Sequence, residues 1–264
     1  MYPTLMMVTY NRLNLTQKTF DTSFINTGCK FNLIIIDNNS TDETINWLKD
    51  NINKYENISK HCVVKLNQNT GIAYGRSLCL KKYSELYSSK YLCTIDNDVT
   101  LPNNWLDRCC KILDNNKLIL SCGVNLEGAT YPKTKIKIEN DYEEIQIKQK
   151  GNLGTACAVF NSDIFTKIGY FNNFDKYGHE DALYFYRMRM TNEKGILAYI
   201  KENGDHLGVG IEDSGTYREM KNKYWDINMK LFQRDIRLFA NKIKPLYVGF
   251  DNYDPSIEEL CLKE

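Results

Sequence analysis

Short apolar runs alternate with longer amphipathic stretches along the first half of the chain, a pattern that predicts strands and helices in turn. The apolar runs are Pro3 to Val8, Phe31 to Ile36, His61 to Leu66 and Tyr91 to Ile95. Each is short and rich in large or β-branched side chains, as buried strands of a mostly parallel sheet should be. Between them the spacing predicts helices over Asn14 to Phe24, from Ser40 to about Asn53 and over Ile72 to Ser84, and Trp105 to Leu113 reads as another. Ser40 followed by Glu43 has the form of a reciprocal capping box at a helix start.

The second half is less regular. Leu118 to Val124 and the small-residue run Thr155 to Phe160 read as strands, and Gly195 to Ile200 as the last central strand. Asp163 to Ile168 and Asp181 to Met190 read as helices. Lys133 to Lys150 is polar and alternating, which predicts strands or an excursion over one sheet edge. Thr216 to Ile243 predicts a long helix, and the tail after Pro245 is expected to be irregular. The expected architecture is α/β, a doubly wound and mostly parallel sheet over residues 1–210, with a C-terminal helical extension over 211–264.

The 264 residues carry a net charge of only +1, so no global field favours nucleic acid or anionic membranes. A local patch remains, because Arg218, Lys221, Lys223, Lys230, Arg234, Arg237, Lys242 and Lys244 face only Glu219, Asp226 and Asp235 in sequence. The 9 cysteines include no C-x-x-C pair, and Cys79, Cys93, Cys122 and Cys157 fall inside apolar runs. That usage predicts reduced, packed thiols and a cytoplasmic location. A first strand that close to Met1 leaves no room for a signal peptide, and no apolar run reaches membrane-spanning length.

The chemistry concentrates just after the strands. The segments are Thr9-Tyr10-Asn11-Arg12, Asp37 to Asp42, Asn69 to Arg76, and Asp96-Asn97-Asp98. Parallel strands bring such loops to one edge, where open α/β sheets bind ligands. Asp37 can accept from a base or ribose, Gly71 and Gly75 allow close backbone approach, and Arg76 can pair with phosphate. Asp96 and Asp98 are hard oxygen ligands that suit Mg²⁺ or Mn²⁺. Together they read as a nucleotide-diphosphate site. Each residue also has a plain structural role open to it. Asp37 and Asp42 can cap a helix, Arg76 can form an ordinary ion pair, and Glu180 and Asp181 can simply stabilise a helix N-terminus.

Those segments, in that order and at that spacing, resemble family 2 glycosyltransferases with the GT-A fold over roughly residues 4 to 210. Further on, Gly154-Thr155-Ala156-Cys157 resembles the family's acceptor-face strand, Gly178-His179-Glu180-Asp181 its Glu-Asp catalytic segment, and His206-Leu207-Gly208 the region of its histidine metal ligand. The resemblance implies that Thr9, Tyr10, Arg12 and Asp37 border the nucleobase, and that Gly71, Arg76, Asp96 and Asn97 border the rest of the nucleotide sugar. It implies metal ligation by Asp96, Asp98 and His206, an acceptor side at Gly154, His179 and Glu180, and Asp181 as catalytic base. The implied activity is metal-dependent, inverting transfer of a sugar from a nucleotide-diphosphate sugar, a UDP-sugar first, to a saccharide or glycan hydroxyl. The basic C-terminal helix keeps a hydroxymethylated DNA base as the alternative acceptor. A nucleotidyltransferase would place a Gly-rich basic loop where Thr9 to Arg12 stand, and a non-catalytic binding module would not need Asp181 or His206.

Overall fold

A computed structural model describes residues 2–174, 176–208, 215–250 and 257–262. In chain order the elements are β1 (Thr4–Thr9), α1 (Leu13–Thr19), β2 (Phe31–Asp37), α2 (Thr44–Asn51), β3 (Ile58–Leu66), α3 (Ile72–Leu86), β4 (Tyr91–Asp96), β5 (Val99–Thr100), α4 (Trp105–Asn115) and β6 (Ile119–Asn125). They continue as β7 (Lys133–Ile138), β8 (Asp141–Lys148), β9 (Cys157–Asn161), α5 (Ser162–Ile168), α6 (Glu180–Met190), β10 (Ile196–Asn203), β11 (Asp205–His206), α7 (Gly215–Ala240) and β12 (Ile257–Leu262).

Ten strands form one sheet in the order β12-β3-β2-β1-β4-β9-β6-β10-β8-β7. β3, β2, β1 and β4 run parallel. Successive side chains of β1 and β2 enter opposite layers, as the period of two requires. Leu5, Met7, Leu33 and Ile35 pack with Phe20, Phe24 and Trp105 on one face. Met6, Ile34 and Ile36 pack with Leu78 and Cys79 of α3 on the other. Covered on both faces, β2 is buried along its whole length, which is why its sequence is a continuous apolar run.

The site follows from two features of this topology. β1 lies between β2 and β4, so the chain reverses its winding there and the loops after β1 and β4 diverge to leave a crevice. β9 is antiparallel to β4, so its beginning meets the end of β4, with Ile95 opposite Cys157 and the Asp96 amide donating to the Ala156 carbonyl at 3.0 Å. Residues 152–156 are thereby delivered to the same edge.

Several elements differ from the sequence reading. The helix expected to Phe24 ends at Thr19 and continues as a wide π turn over Phe20–Phe24. That turn lets Ser23 hold β5, donating from its hydroxyl to the Val99 carbonyl, and lets its carbonyl accept from Trp105 Nε1. Ser40 is not a helix cap, because its hydroxyl donates to Asp37 at 2.5 Å. Asp42 serves the starts of α1 and α2 together, accepting from the Leu13 and Thr44 amides at 3.0 and 3.1 Å. Residues Lys133 to Lys148 form an edge hairpin, and the exposed lysines of β7 discourage further strand pairing. Part of the tail expected to be irregular is a strand, β12, antiparallel to β3. The rest of that tail includes residues 251–256 and 263–264, outside the described residues.

Arg187 of α6 is fully buried and donates to the carbonyls of Ile168, Tyr170 and Leu246. It ties the segment before α6 to the segment after α7. Arg187→Met keeps the stem and strands those carbonyls without donors. The expected loss is about 2–4 kcal/mol of stability, read as a lower urea midpoint; an unchanged midpoint would show that the carbonyls find other partners. None of the described cysteines is in a disulfide, and no helix among the described residues is long and apolar enough to cross a membrane.

Candidate active site

The loops converge on a cavity of about 720 Å³ at the C-terminal edge of β1 and β4. Its wall begins with the segment after β1. Asn11 and Arg12 both take left-handed backbone conformations, with φ of 56° and 62°, a strain typical of ligand sites. The turn throws the Arg12 guanidinium onto Asp98 Oδ2 at 3.0 Å. Tyr10 stays 39% exposed at the cavity rim.

The loop after β3 is held by Asn38. Its Nδ2 donates to Asn69 Oδ1 and the Gly71 carbonyl, and its Oδ1 accepts from the Thr70 amide. Gly71 has φ of 87°, and a Cβ there would lie 2.8 Å from Lys176 Cα. Only glycine lets the start of α3 meet the chain that leads into α6.

Asp96, Asp98 and His206 place one donor atom each within 4.8 Å of one another. β11 pairs with β5, setting His206 opposite Val99, with His206 Nε2 at 3.6 Å from Asp98 Oδ1. A Cβ on Gly208 would fall 2.2 Å from Asp98 Oδ2, so the chain can fold over Asp98 only without a side chain there. Burial, and then the neighbouring Asp96 charge, push the Asp98 carboxyl above its usual range. His206 Nδ1 is buried with no hydrogen-bonding partner among the described residues. Two carboxylates that repel and an imidazole beside them fit a divalent cation, and the nitrogen donor suits Mn²⁺ as well as Mg²⁺.

The N-terminus of α6 also lines the cavity. His179 caps it in a left-handed conformation, and Glu180 and Asp181 form its first turn. The two acids are in different surroundings. Glu180 is 5% exposed, and its Oε1 accepts from Arg76 Nη1 at 2.5 Å. Arg76 is itself buried, and its Nη2 donates to Asp96 Oδ1 at 2.9 Å. Asp181 is half-buried, lines the cavity and accepts from the Ala182 amide.

Burial and the adjacent Asp181 charge raise Glu180 from 4.5 to about 7, against the opposing pull of Arg76. A carboxyl raised in the folded state binds its proton there first. It therefore contributes stability that is complete below 4.5 and lost as pH rises through about 7. The raised Asp37 and Asp98 act in the same direction. In metal-free buffer the urea midpoint is expected to fall between pH 5 and 7, and Glu180→Gln to flatten that fall. An equal slope in the variant would assign the whole effect to the other carboxyls.

Thr9, Tyr10, Arg12, Gly71, Arg76, Asp96, Asn97, Asp98, Gly154, His179, Glu180, Asp181 and His206 all line the one cavity. Asp37 does not. It is fully buried behind the cavity, accepting from Thr9 Oγ1, Ser40 Oγ and the Ser40 amide, and Asn38 takes the place on the wall. Asn97 also reaches inward, donating to Thr16 Oγ1 at 2.9 Å. The sequence reading missed Asn152, Lys176, Tyr177, Lys221 and Trp225 as lining residues. The last two come from α7, which packs on α6 through Leu183, Phe174 and Phe239 and through Asn228 Nδ2 donating to the Tyr177 carbonyl.

The sequence profile described as glycosyl transferase family 2 matches residues 4–194. Among solved structures, the mannosyltransferase PcManGT of Pyrobaculum calidifontis, in complex with GDP-Man and Mn²⁺, superposes with a TM-score of 0.55 at 14% identity, over 76% of this chain and 54% of its own. TarS of S. aureus, residues 1–349, gives 0.56 at 16% identity, over 77% of this chain and 59% of its own. GalNAc-T7 with UDP, GalNAc and Mn²⁺ gives 0.54 at 11% identity, over 78% of this chain and 43% of its own. The chain thus spans about half the length of these structures, and at such identities the likeness is one of fold, the GT-A fold. No curated protein matches the sequence.

Proposed function

We infer the activity from one premise: this chain belongs to glycosyl transferase family 2. The reading it supports best is inverting transfer of a sugar from a nucleotide-diphosphate sugar to an acceptor hydroxyl. The observation that carries it is a single cavity lined both by a three-donor cluster and by Asp181, to which Arg76 makes no hydrogen bond. Cleaving an anomeric bond to a diphosphate leaves negative charge on the departing group and positive character on the sugar. Asp98, His206 and Asp96 would hold a divalent cation, whose chemistry is Lewis-acid neutralisation of that diphosphate. Asp181 would take the proton from the acceptor hydroxyl, which attacks the anomeric carbon from the face opposite the diphosphate and inverts it. Arg76, on the cavity wall, would fix Asp96 and Glu180 in place.

A UDP-sugar is the first donor to test, since two of the similar structures, TarS and GalNAc-T7, hold UDP and PcManGT holds GDP-Man. The uncrosslinked thiols fit a reducing, cytoplasmic setting. The test is a thermal-shift and donor-hydrolysis screen of UDP-, GDP- and dTDP-sugars with Mn²⁺ and Mg²⁺. One donor should stabilise the protein and be hydrolysed slowly. Binding of no nucleotide sugar with either metal would overturn the reading.

A further inference from the structure

α7 lies beyond the segment matched by the family profile, yet it crosses the mouth of the cavity. It carries Trp225 there, 45% exposed. A lone exposed indole is ordinary on a protein surface. This one is held in place and borders the catalytic helix. Its ring centroid is 4.1 Å from that of His179, whose imidazole also stacks with Phe232 at 5.4 Å. At Gly178 a Cβ would lie 3.0 Å from Trp225 Cε3, so glycine lets the indole settle against the backbone that leads into Glu180 and Asp181. His179 is 6% exposed and lines the cavity, and its Nε2 has no hydrogen-bonding partner among the described residues.

We propose that Trp225 and His179 form the acceptor subsite, and that its occupant is a saccharide ring stacked on the indole with a hydroxyl hydrogen-bonded to His179 Nε2. This rests on the glycosyltransferase reading. The donor's diphosphate belongs beside Asp96, Asp98 and His206, and Trp225 and His179 line the same cavity, with His179 next to the helix turn that carries Asp181. A pyranose presents one face of C–H groups, which matches the negative face of an aromatic ring, and a rim of hydroxyls, which matches one waiting nitrogen. A flipped nucleobase would want a parallel slot between two rings. The two rings beside Trp225, His179 at 4.1 Å and Tyr177 at 6.5 Å by centroid, are inclined to it at 48° and 37°, so neither forms a parallel slot with it.

The experiment uses the full chain, the donor found by the hydrolysis screen, and a panel of methyl glycosides and short oligosaccharides, with a hydroxymethylated DNA duplex alongside. The readout is the ratio of sugar transfer to donor hydrolysis. Trp225→Ala should lower that ratio about tenfold, through a higher acceptor KM, the factor that aromatic stacking supplies. Trp225→Phe should recover most of it, which a general packing defect would not allow. An unchanged ratio in Trp225→Ala overturns the proposal, as does transfer to the duplex in preference to every saccharide. An enzyme that hydrolyses its donor but glycosylates no saccharide also overturns it, and leaves the glycosyltransferase reading standing.

Discussion

Asp98→Ala should reduce sugar transfer by about 10³-fold or more, the scale expected when charge stabilisation of a leaving group is removed. Asp98 is the most buried of the three grouped donors, and His206 and Arg12 both face it. Without it the cluster is reduced to Asp96, which is shared with Arg76, and to His206. Chelator should mimic the variant, and added Mn²⁺ or Mg²⁺ should rescue the unmodified enzyme but not Asp98→Ala. Donor affinity, read by thermal shift, should fall with activity. The fold should survive. Asp98 is held above its usual pKa by burial and by Asp96, so its removal relieves a repulsion while Arg12 loses one partner that solvent partly replaces. His206→Ala should act in the same direction more mildly. Full activity in chelator would sink the metal assignment.

Asp181→Asn should lower turnover by about 10²–10⁴-fold, the usual span for a general base, with donor affinity little changed. The adjacent Glu180 is the natural rival, and the structure separates the two. Glu180 is 5% exposed and its Oε1 is engaged by Arg76, which leaves it poorly placed to reach an acceptor hydroxyl. Asp181 faces the cavity and is bonded on one side to a backbone amide. Both variants should be compared across pH. A nearly silent Asp181→Asn with a crippling Glu180→Gln would reverse the assignment within the pair.

Much of this architecture was legible in the sequence because it is set locally. The four parallel strands are unbroken apolar runs, and a strand covered on both faces cannot be written otherwise. Polar residues after each run mark the edge where ligands bind, so the cavity could be assembled on paper from Thr9 to Arg12, Asn69 to Arg76, and Asp96 to Asp98. His206 was placed beside Asp98 only by the resemblance, since nothing in its local sequence announces the β5–β11 pairing.

The charged groups show where local reading ends. Arg76 looked like a phosphate cation, but its guanidinium is shared by Asp96 and Glu180, the latter 104 positions away in sequence. Asp37 looked like a base contact, but Thr9 and Ser40 saturate it out of reach of the cavity. Trp225 falls in a segment that reads only as a long helix, and α7 brings it to the cavity mouth. Backbone preference and apolar periodicity act over a few residues, and they determined the strands, most helices and the edge that carries the chemistry. Whether a polar side chain meets solvent, ligand or another side chain depends on burial and on partners delivered by distant segments, and those only the tertiary structure decided.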